Sequence, residues 1–498
     1  MSFVGAVIVS LFVIRQSSYF RWFGYETIPI PITDEFNYVW QGISLRRYGL
    51  PLGWTTLIDG YSNPQLQTRQ GVLDGFGISI EGKLIDLDQF RIDPRPITTV
   101  AQIDYMKGME HMYFVAPFFD HPPLGGLIYS LGVDRQVVNV DEVEPADFRK
   151  PALGLAIVSS VLLFLLLYLI TTNPWVGTLA VIIYSTVPTY LLASRMSFLE
   201  NTVIPFILAH LVLLVLTARL NSKSFSSTVV YILAFSSGLV GGASVLTKES
   251  AIGFLFGSLI LLAINKVRKK AIILFLIGLL LPILGYLVWG YWLQKNLFLE
   301  ILTANSNRGY FGAIKLVAML EALKFKNFPI DGWWVWGFIS LLMVSINVKN
   351  KYLLFVTIPL FTHLLTVLLL GSHNYPWYFI ACIPLLAACS SLFIWQIIEH
   401  PTIASSMAFF LIPFSSSYYW GRNALNLQPS INHYRYAFFI FGILLTLRLV
   451  YKKYKLFQLI WLVFFAILIN KIIVFNQVFF PYLVAHWGNL PISSLPNF

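Results

Sequence analysis

Acids, an imidazole and cations that could do chemistry gather in a few short stretches of this 498-residue chain. Thr33-Asp34-Glu35-Phe36 sets two adjacent carboxylates behind Pro29 and Pro31. A carboxylate held at a helix end can take a proton from a hydroxyl or amine. The same residues also suit a plain helix start, since Thr caps and first-turn acids oppose the macrodipole. In Phe118-Phe119-Asp120-His121-Pro122-Pro123-Leu124-Gly125-Gly126, an imidazole ahead of two prolines is rigidly aimed and can hydrogen-bond a phosphate or carry charge. Asp120 there also reads as an N-cap before a helix that starts at Pro122. Arg195-Met196-Ser197-Phe198-Leu199-Glu200 spells a capping box from Ser197 to Glu200, and its Arg195 could face an anion. Thr247-Lys248-Glu249-Ser250 is a turn with almost no loop, which holds Lys248 at the bilayer surface either as a local ion pair or as a phosphate ligand.

The elements that must position these groups cross a membrane. Hydrophobic residues make up 57% and charged residues 11%, far from the soluble average of about 25% charged. The net charge of +11 would suggest nucleic acid in a soluble protein, but 17 of the 23 acids lie between positions 24 and 150. The basic excess therefore belongs to short connections between apolar segments, and no nucleic-acid partner is expected. Cys382 and Cys389, seven residues apart in one apolar segment, are too far apart to bridge and read as core residues.

A first span over 1–23, with Arg15 snorkelling, precedes a loop over 24–150. It lacks a basic leader and a small-residue cleavage site, so it reads as an anchor and not a removable signal. Twelve further apolar segments fall near 151–170, 174–193, 200–218, 228–246, 250–265, 271–293, 333–347, 352–370, 376–397, 402–420, 435–451 and 457–475, thirteen spans in all. The organisation expected is thus a first helix, the 24–150 loop, spans over 151–293, a loop over 294–332, spans over 333–475 and a tail over 476–498. Placing residue 1 inside puts Arg219, Lys223, Lys266, Arg268, Lys269, Lys270, Lys349, Lys351, Arg448, Lys452, Lys453 and Lys455 inside as well. The acids and His121 then share the outer face.

Within the 24–150 loop, Phe36, Val39, Trp40 and Ile43 keep helical spacing, which predicts an amphipathic helix along the interface. An insert at about 53–110 turns to Gly, Pro, Asn and Asp, with a hairpin expected around Glu81-Gly82, so a small β element is predicted. A second amphipathic helix should present Leu124, Leu127, Ile128 and Leu131 on one face.

The Asp-Glu pair opening the loop, Phe119-Asp120-His121-Pro122-Pro123-Leu124-Gly125 closing it, and Phe148-Arg149-Lys150-Pro151-Ala152-Leu153 entering the second span resemble the protein O-mannosyltransferase and aminoarabinose transferase group of glycosyltransferases. The resemblance covers roughly the first half of the chain, and the 53–110 insert departs from it. It implies an all-α polytopic membrane protein of GT-C type, an inverting hexosyl- or pentosyltransferase using a polyprenyl- or dolichyl-phosphate-linked sugar. Asp34 is then the catalytic carboxylate with Glu35 beside it. His121, Arg149, Arg195, Glu200, Lys248 and Arg308 would meet the phosphate, and Asp120, Tyr375 and Trp377 the sugar or acceptor, although Tyr375 and Trp377 equally suit an aromatic belt. The acceptor would be protein, lipid or glycan, reached at the extracytoplasmic face of a prokaryotic plasma membrane. The sequence names no cofactor; adjacent carboxylates could hold a divalent cation, yet no spacing here makes a specific metal site. A lipid-linked glycan flippase is the alternative, disfavoured because mid-span charges are scarce. A polysaccharide polymerase or ligase would share the donor.

Overall fold

The computed structural model describes residues 3–22, 33–55, 99–103, 112–134, 137, 143–222, 226–307, 332–346, 350–369, 376–400, 402–415, 432, 435–436, 439–440, 442 and 454–486. Among these, 8 helices are long and apolar enough to cross a membrane, or 9 if one bent pair counts as a span, so the chain is a multi-pass membrane protein. Three of the expected thirteen spans are helices too short for a straight crossing, within Glu249–Ile264, Gly332–Ile346 and Ile403–Phe414. A fourth, 435–451, lies almost wholly outside the described residues.

In chain order the first helices are α1 (Phe3–Trp22) and α2 (Thr33–Tyr48), followed by strands β1 (Gly53–Thr55), β2 (Thr99–Ile103) and β3 (Met112–Ala116). Next come α3 (Leu124–Ser130), α4 (Pro145–Thr171), α5 (Pro174–Thr186), α6 (Pro188–Arg195), α7 (Leu199–Ser222), α8 (Ser227–Val245) and α9 (Ile252–Ile264). The rest of the chain gives α10 (Lys269–Asn307), α11 (Gly332–Ile346), α12 (Leu354–Leu369), α13 (Ile383–Glu399), α14 (Ile403–Phe409) and α15 (Tyr454–His486). The helix α15 extends well into the stretch expected as a tail, and α10 continues past a break at Gln294 (φ −159°, ψ 85°) into the stretch expected as a loop.

Pro188 divides the third expected span. It lacks an N–H, and the residue before a proline is pushed out of the helical region, so Val187 sits at φ −61°, ψ 121° and α5 meets α6 at 73°. In hydrocarbon the carbonyls freed at such a break need donors from neighbours. Arg21 Nη2 donates to the Tyr184 carbonyl at 3.4 Å, and Asn476 Nδ2 to that of Thr186 at 2.8 Å. Elsewhere small residues let helices touch, because lipid supplies no hydrophobic drive between them. A Cβ on Gly238 of α8 would overlap the Phe275 carbonyl of α10, and one on Gly278 that of Phe235.

The strands form one antiparallel sheet in the order β1-β3-β2, with Trp54 opposite Phe114 and Ala101 opposite the same Phe114. The hairpin expected around Glu81-Gly82 lies outside the described residues. Two helix readings change. Asn37, Tyr38, Val39, Trp40, Gln41, Ile43 and Ser44 are all buried, so the middle of α2 is enclosed on both its apolar and its polar face and is not the amphipathic helix expected. Likewise α3 starts at Leu124, not Pro122, and buries Gly125, Gly126, Tyr129 and Ser130 while Leu131 is 72% exposed. The reason is contact distance: α2 and α3 cross so closely that a Cβ on Gly42 would overlap the Gly126 carbonyl, and one on Gly126 would stand 2.5 Å from the Tyr38 carbonyl.

Candidate active site

The close crossing of α2 on α3 sets the site. Gln41 Nε2 donates to the His121 carbonyl at 2.8 Å, tying the middle of α2 to the residues before α3. The Leu124 N–H, left over at the start of α3, donates to the Leu246 carbonyl at 3.0 Å and so fastens this segment to the Lys248 turn. Three stretches far apart in sequence therefore meet at one end of the bundle.

Glu35, expected to work beside Asp34, is buried within a scaffold. Arg149 donates to it twice, Nε to Oε1 at 3.1 Å and Nη2 to Oε2 at 2.6 Å, and the Ser197 N–H reaches Oε1 at 2.7 Å. Both side chains are at most 1% exposed. The planar fork of the guanidinium matches the two carboxylate oxygens, so two of the Arg149 nitrogens, expected at the phosphate, are engaged by Glu35. This pair locks α2 to α4 and to the entry of α7. The Ser197-to-Glu200 capping box is not made, because the Ser197 hydroxyl donates to the Phe148 carbonyl at 3.0 Å. Asp34 occupies the first turn of α2; its side chain, like those of Thr33 and Phe36, lies outside the described residues.

Asp120 is no helix cap either. Its Oδ2 accepts from the Thr55 hydroxyl at 2.5 Å, and its carbonyl from Asn305 Nδ2 at 3.0 Å. The sheet brings Thr55 there, since β1 pairs with β3 only a few residues before Asp120. Phe119 packs edge-on against Trp289 and Phe298, one from each side of the Gln294 break, so the distal part of α10 is also seated on this segment.

The charges of the Lys248-Glu249 turn have partners across the fold. Lys248 Nζ lies 3.3 Å from Glu200 Oε1, both groups buried, and 4.8 Å from the centre of the Tyr378 ring. Glu249 Oε2 lies 3.4 Å from His121 Nδ1, and this pair is the accessible one, with side chains 41% and 14% exposed. Burial alone would push the Glu249 carboxyl up, but His121 and then Lys248 outweigh it and hold the group below the usual carboxylate range. The His121 ring stands edge-on to Tyr38 at 5.7 Å and to Phe118 at 6.4 Å.

Arg195 is fully buried at the end of α6, its guanidinium 5.5 Å from the centre of the Phe480 ring. Arg308 and Tyr375 lie outside the described residues, as does the Trp377 side chain, although Trp377 belongs to the 3-10 helix Pro376–Cys382. Sequence reasoning missed Gln41, Thr55, Tyr38 and Tyr378 as neighbours of the site. Periodicity marks buried faces, and these contacts depend on which helices cross. Among the described residues, no three His, Cys, Asp or Glu side chains group closely enough to hold a metal ion.

The described helices form a bundle broken at Pro188 and at Gln294, with a loop-borne cluster of acids, imidazole and lysine at one end. Two solved structures match it over nearly the whole chain. ArnT from Cupriavidus metallidurans bound to undecaprenyl phosphate aligns at a TM-score of 0.51 and 12% identity, covering 99% of this chain and 77% of that one. The apo state of the same protein aligns at 0.53 and 11%, with the same coverage. At such identity the likeness is one of fold. No protein-family model and no curated protein matches the sequence.

Proposed function

We propose that the chain is an inverting glycosyltransferase that moves a sugar from a polyprenyl- or dolichyl-phosphate carrier to a hydroxyl or amine acceptor at the extracytoplasmic membrane face. The observation that carries this reading is the joining of α2, the Asp120-His121 segment and the Lys248-Glu249 turn through Gln41 and Leu124. A GT-C fold shared with a protein crystallised with undecaprenyl phosphate supports the choice of a lipid phosphate.

The acceptor oxygen or nitrogen attacks the anomeric carbon on the face opposite the phosphate, and the bond from that carbon to the phosphate oxygen breaks. The acceptor proton passes to the Asp34 carboxylate, the member of the pair left for this task by the commitment of Glu35 to Arg149 and Ser197. The leaving polyprenyl phosphate carries the bond's electron pair away. His121, at the accessible edge, and Lys248 behind it oppose that growing charge. Arg195 and Arg308 remain candidates for the same phosphate, and Tyr375, Trp377 and Asp120 for sugar or acceptor contacts. The test is the purified chain in lipid vesicles supplied with polyprenyl-phosphate hexose or pentose and a mixture of acceptors. Mass spectrometry should find free polyprenyl phosphate and one glycosylated acceptor, and NMR of that product should show inverted anomeric configuration. Donors left intact across that panel would reject the reading.

A further inference from the structure

We propose that the opposite end of the bundle binds the headgroup of one anionic phospholipid, held by Arg219, Lys266 and Lys351 around the Tyr352 ring. Along α7, Glu200 at the candidate site and Arg219 stand about 28 Å apart at about 1.5 Å per residue, roughly one hydrocarbon thickness. The two clusters therefore face opposite membrane surfaces, and this site is independent of the catalytic reading.

Three features make it a built site. First, Arg219 Cζ lies 4.9 Å and Lys351 Nζ 5.5 Å from the centre of the same Tyr352 ring, so the two cations are gathered at one aromatic side chain. Arg219 Nε is buried with no hydrogen-bond partner, and none of Arg219, Lys266 and Lys351 forms an ion pair among the described residues. The one described acid at this end, Glu399, accepts from Trp395 Nε1 at 2.7 Å.

Second, cations stand where local structure does not favour them. The α9 terminus closes with Lys266 N on the Ala263 carbonyl and Val267 N on that of Leu262, a turn whose left-handed position normally takes glycine. Lys266 fills it at φ 49°, exposed. Lys269 and Lys270 then open α10, at the helix end whose dipole repels cations. Asn221, one half-turn beyond Arg219, accepts from the Arg268 N–H and donates to the Lys266 carbonyl, both at 3.4 Å, which docks this turn on the end of α7.

Third, the ligand's apolar part has a track. Phe256, Ile260 and Ile264, one turn apart along α9, are 51%, 46% and 43% exposed and lead directly to Lys266. A phosphate oxyanion satisfies the cations whether it is inorganic phosphate or a headgroup; the stripe selects a phosphodiester attached to acyl chains.

The experiment is native mass spectrometry of the full-length protein in detergent with equal amounts of dioleoyl phosphatidylglycerol and dioleoyl phosphatidylcholine, and separately with inorganic phosphate in excess. The expected result is preferential retention of phosphatidylglycerol, resistant to inorganic phosphate. Retention should fall roughly tenfold in Arg219→Gln/Lys351→Gln, the loss expected for charge-assisted contacts. Because Arg219 is partly buried, Lys266→Gln and Lys351→Gln, at exposed positions, carry the same test should the double variant fail to fold. Equal retention of the two lipids, retention unchanged in the variants, or displacement by inorganic phosphate would each overturn the proposal.

Discussion

Replacing Glu35 by Gln separates a scaffold from a catalyst. Arg149 and Glu35 are 1% and 0% exposed and joined by two hydrogen bonds, with a third from the Ser197 N–H. Neutralising one member of such a pair strands the other charge away from water, which costs about 3 to 5 kcal/mol. At about 1.4 kcal/mol per factor of ten, the folding constant drops by roughly two to three and a half orders of magnitude. The assay is thermal unfolding of detergent-purified wild type, Glu35→Gln, Arg149→Gln and the double variant, with sugar transfer measured well below the midpoint. Each single change should lower the midpoint sharply. The double change should cost less than the sum, because the second removal strands no further charge. Molecules of Glu35→Gln that stay folded should keep most of their turnover. A Glu35→Gln protein as stable as wild type but without activity would refute the reasoning and return Glu35 to the chemistry.

Three other outcomes follow from the same geometry. Gly126→Ala puts a methyl group 2.5 Å from the Tyr38 carbonyl and 2.9 Å from Gln41 Oε1, so α2 and α3 must part; a loss of about 1 to 3 kcal/mol is expected, with a raised donor KM, by thermal unfolding and steady-state kinetics. Lys248→Gln leaves Glu200 buried without its cation and, on the proposed reading, removes a cation that opposes the leaving phosphate, so stability should fall and donor KM rise roughly tenfold or more, while an unchanged donor saturation curve would take Lys248 out of that proposal. The depressed Glu249 carboxyl contributes stability that is complete above its unfolded pKa and is lost as pH falls through the lower folded value. His121→Ala removes the main cause of that depression, so the variant should start less stable at neutral pH and lose less of its midpoint on acidification than the wild type, and superimposable profiles of midpoint against pH would dismiss the pair.

Composition and the runs of apolar residues made a helical membrane bundle legible, because twenty-residue spans leave a signal that no tertiary contact can hide. The break in the 174–193 segment was not read, because the apolar run there counts as one span, although a proline inside it is a local signal for a break. The site was less legible. Asp34, His121, Lys248 and Glu200 announce themselves as polar residues at span ends, but which charge meets which depends on helix crossing. Lys248 and Glu249, neighbours in sequence, turn to Glu200 and His121. The face of α3 was misread for the same reason, since a scale of hydrophobicity favours Leu131 over Gly126, whereas the crossing with α2 selects for the absence of a side chain.

The central claim rests on Asp34, and one substitution tests it most directly. Asn serves at a helix N-terminus about as well as Asp, so Asp34→Asn should leave the thermal midpoint near that of wild type. An amide accepts no proton, and loss of a placed general base lowers rate by about 10² to 10⁴ with donor binding largely kept. Single-turnover transfer from a defined polyprenyl-phosphate sugar by the folded variant should show that drop at saturating donor. Turnover near wild type would contradict the account.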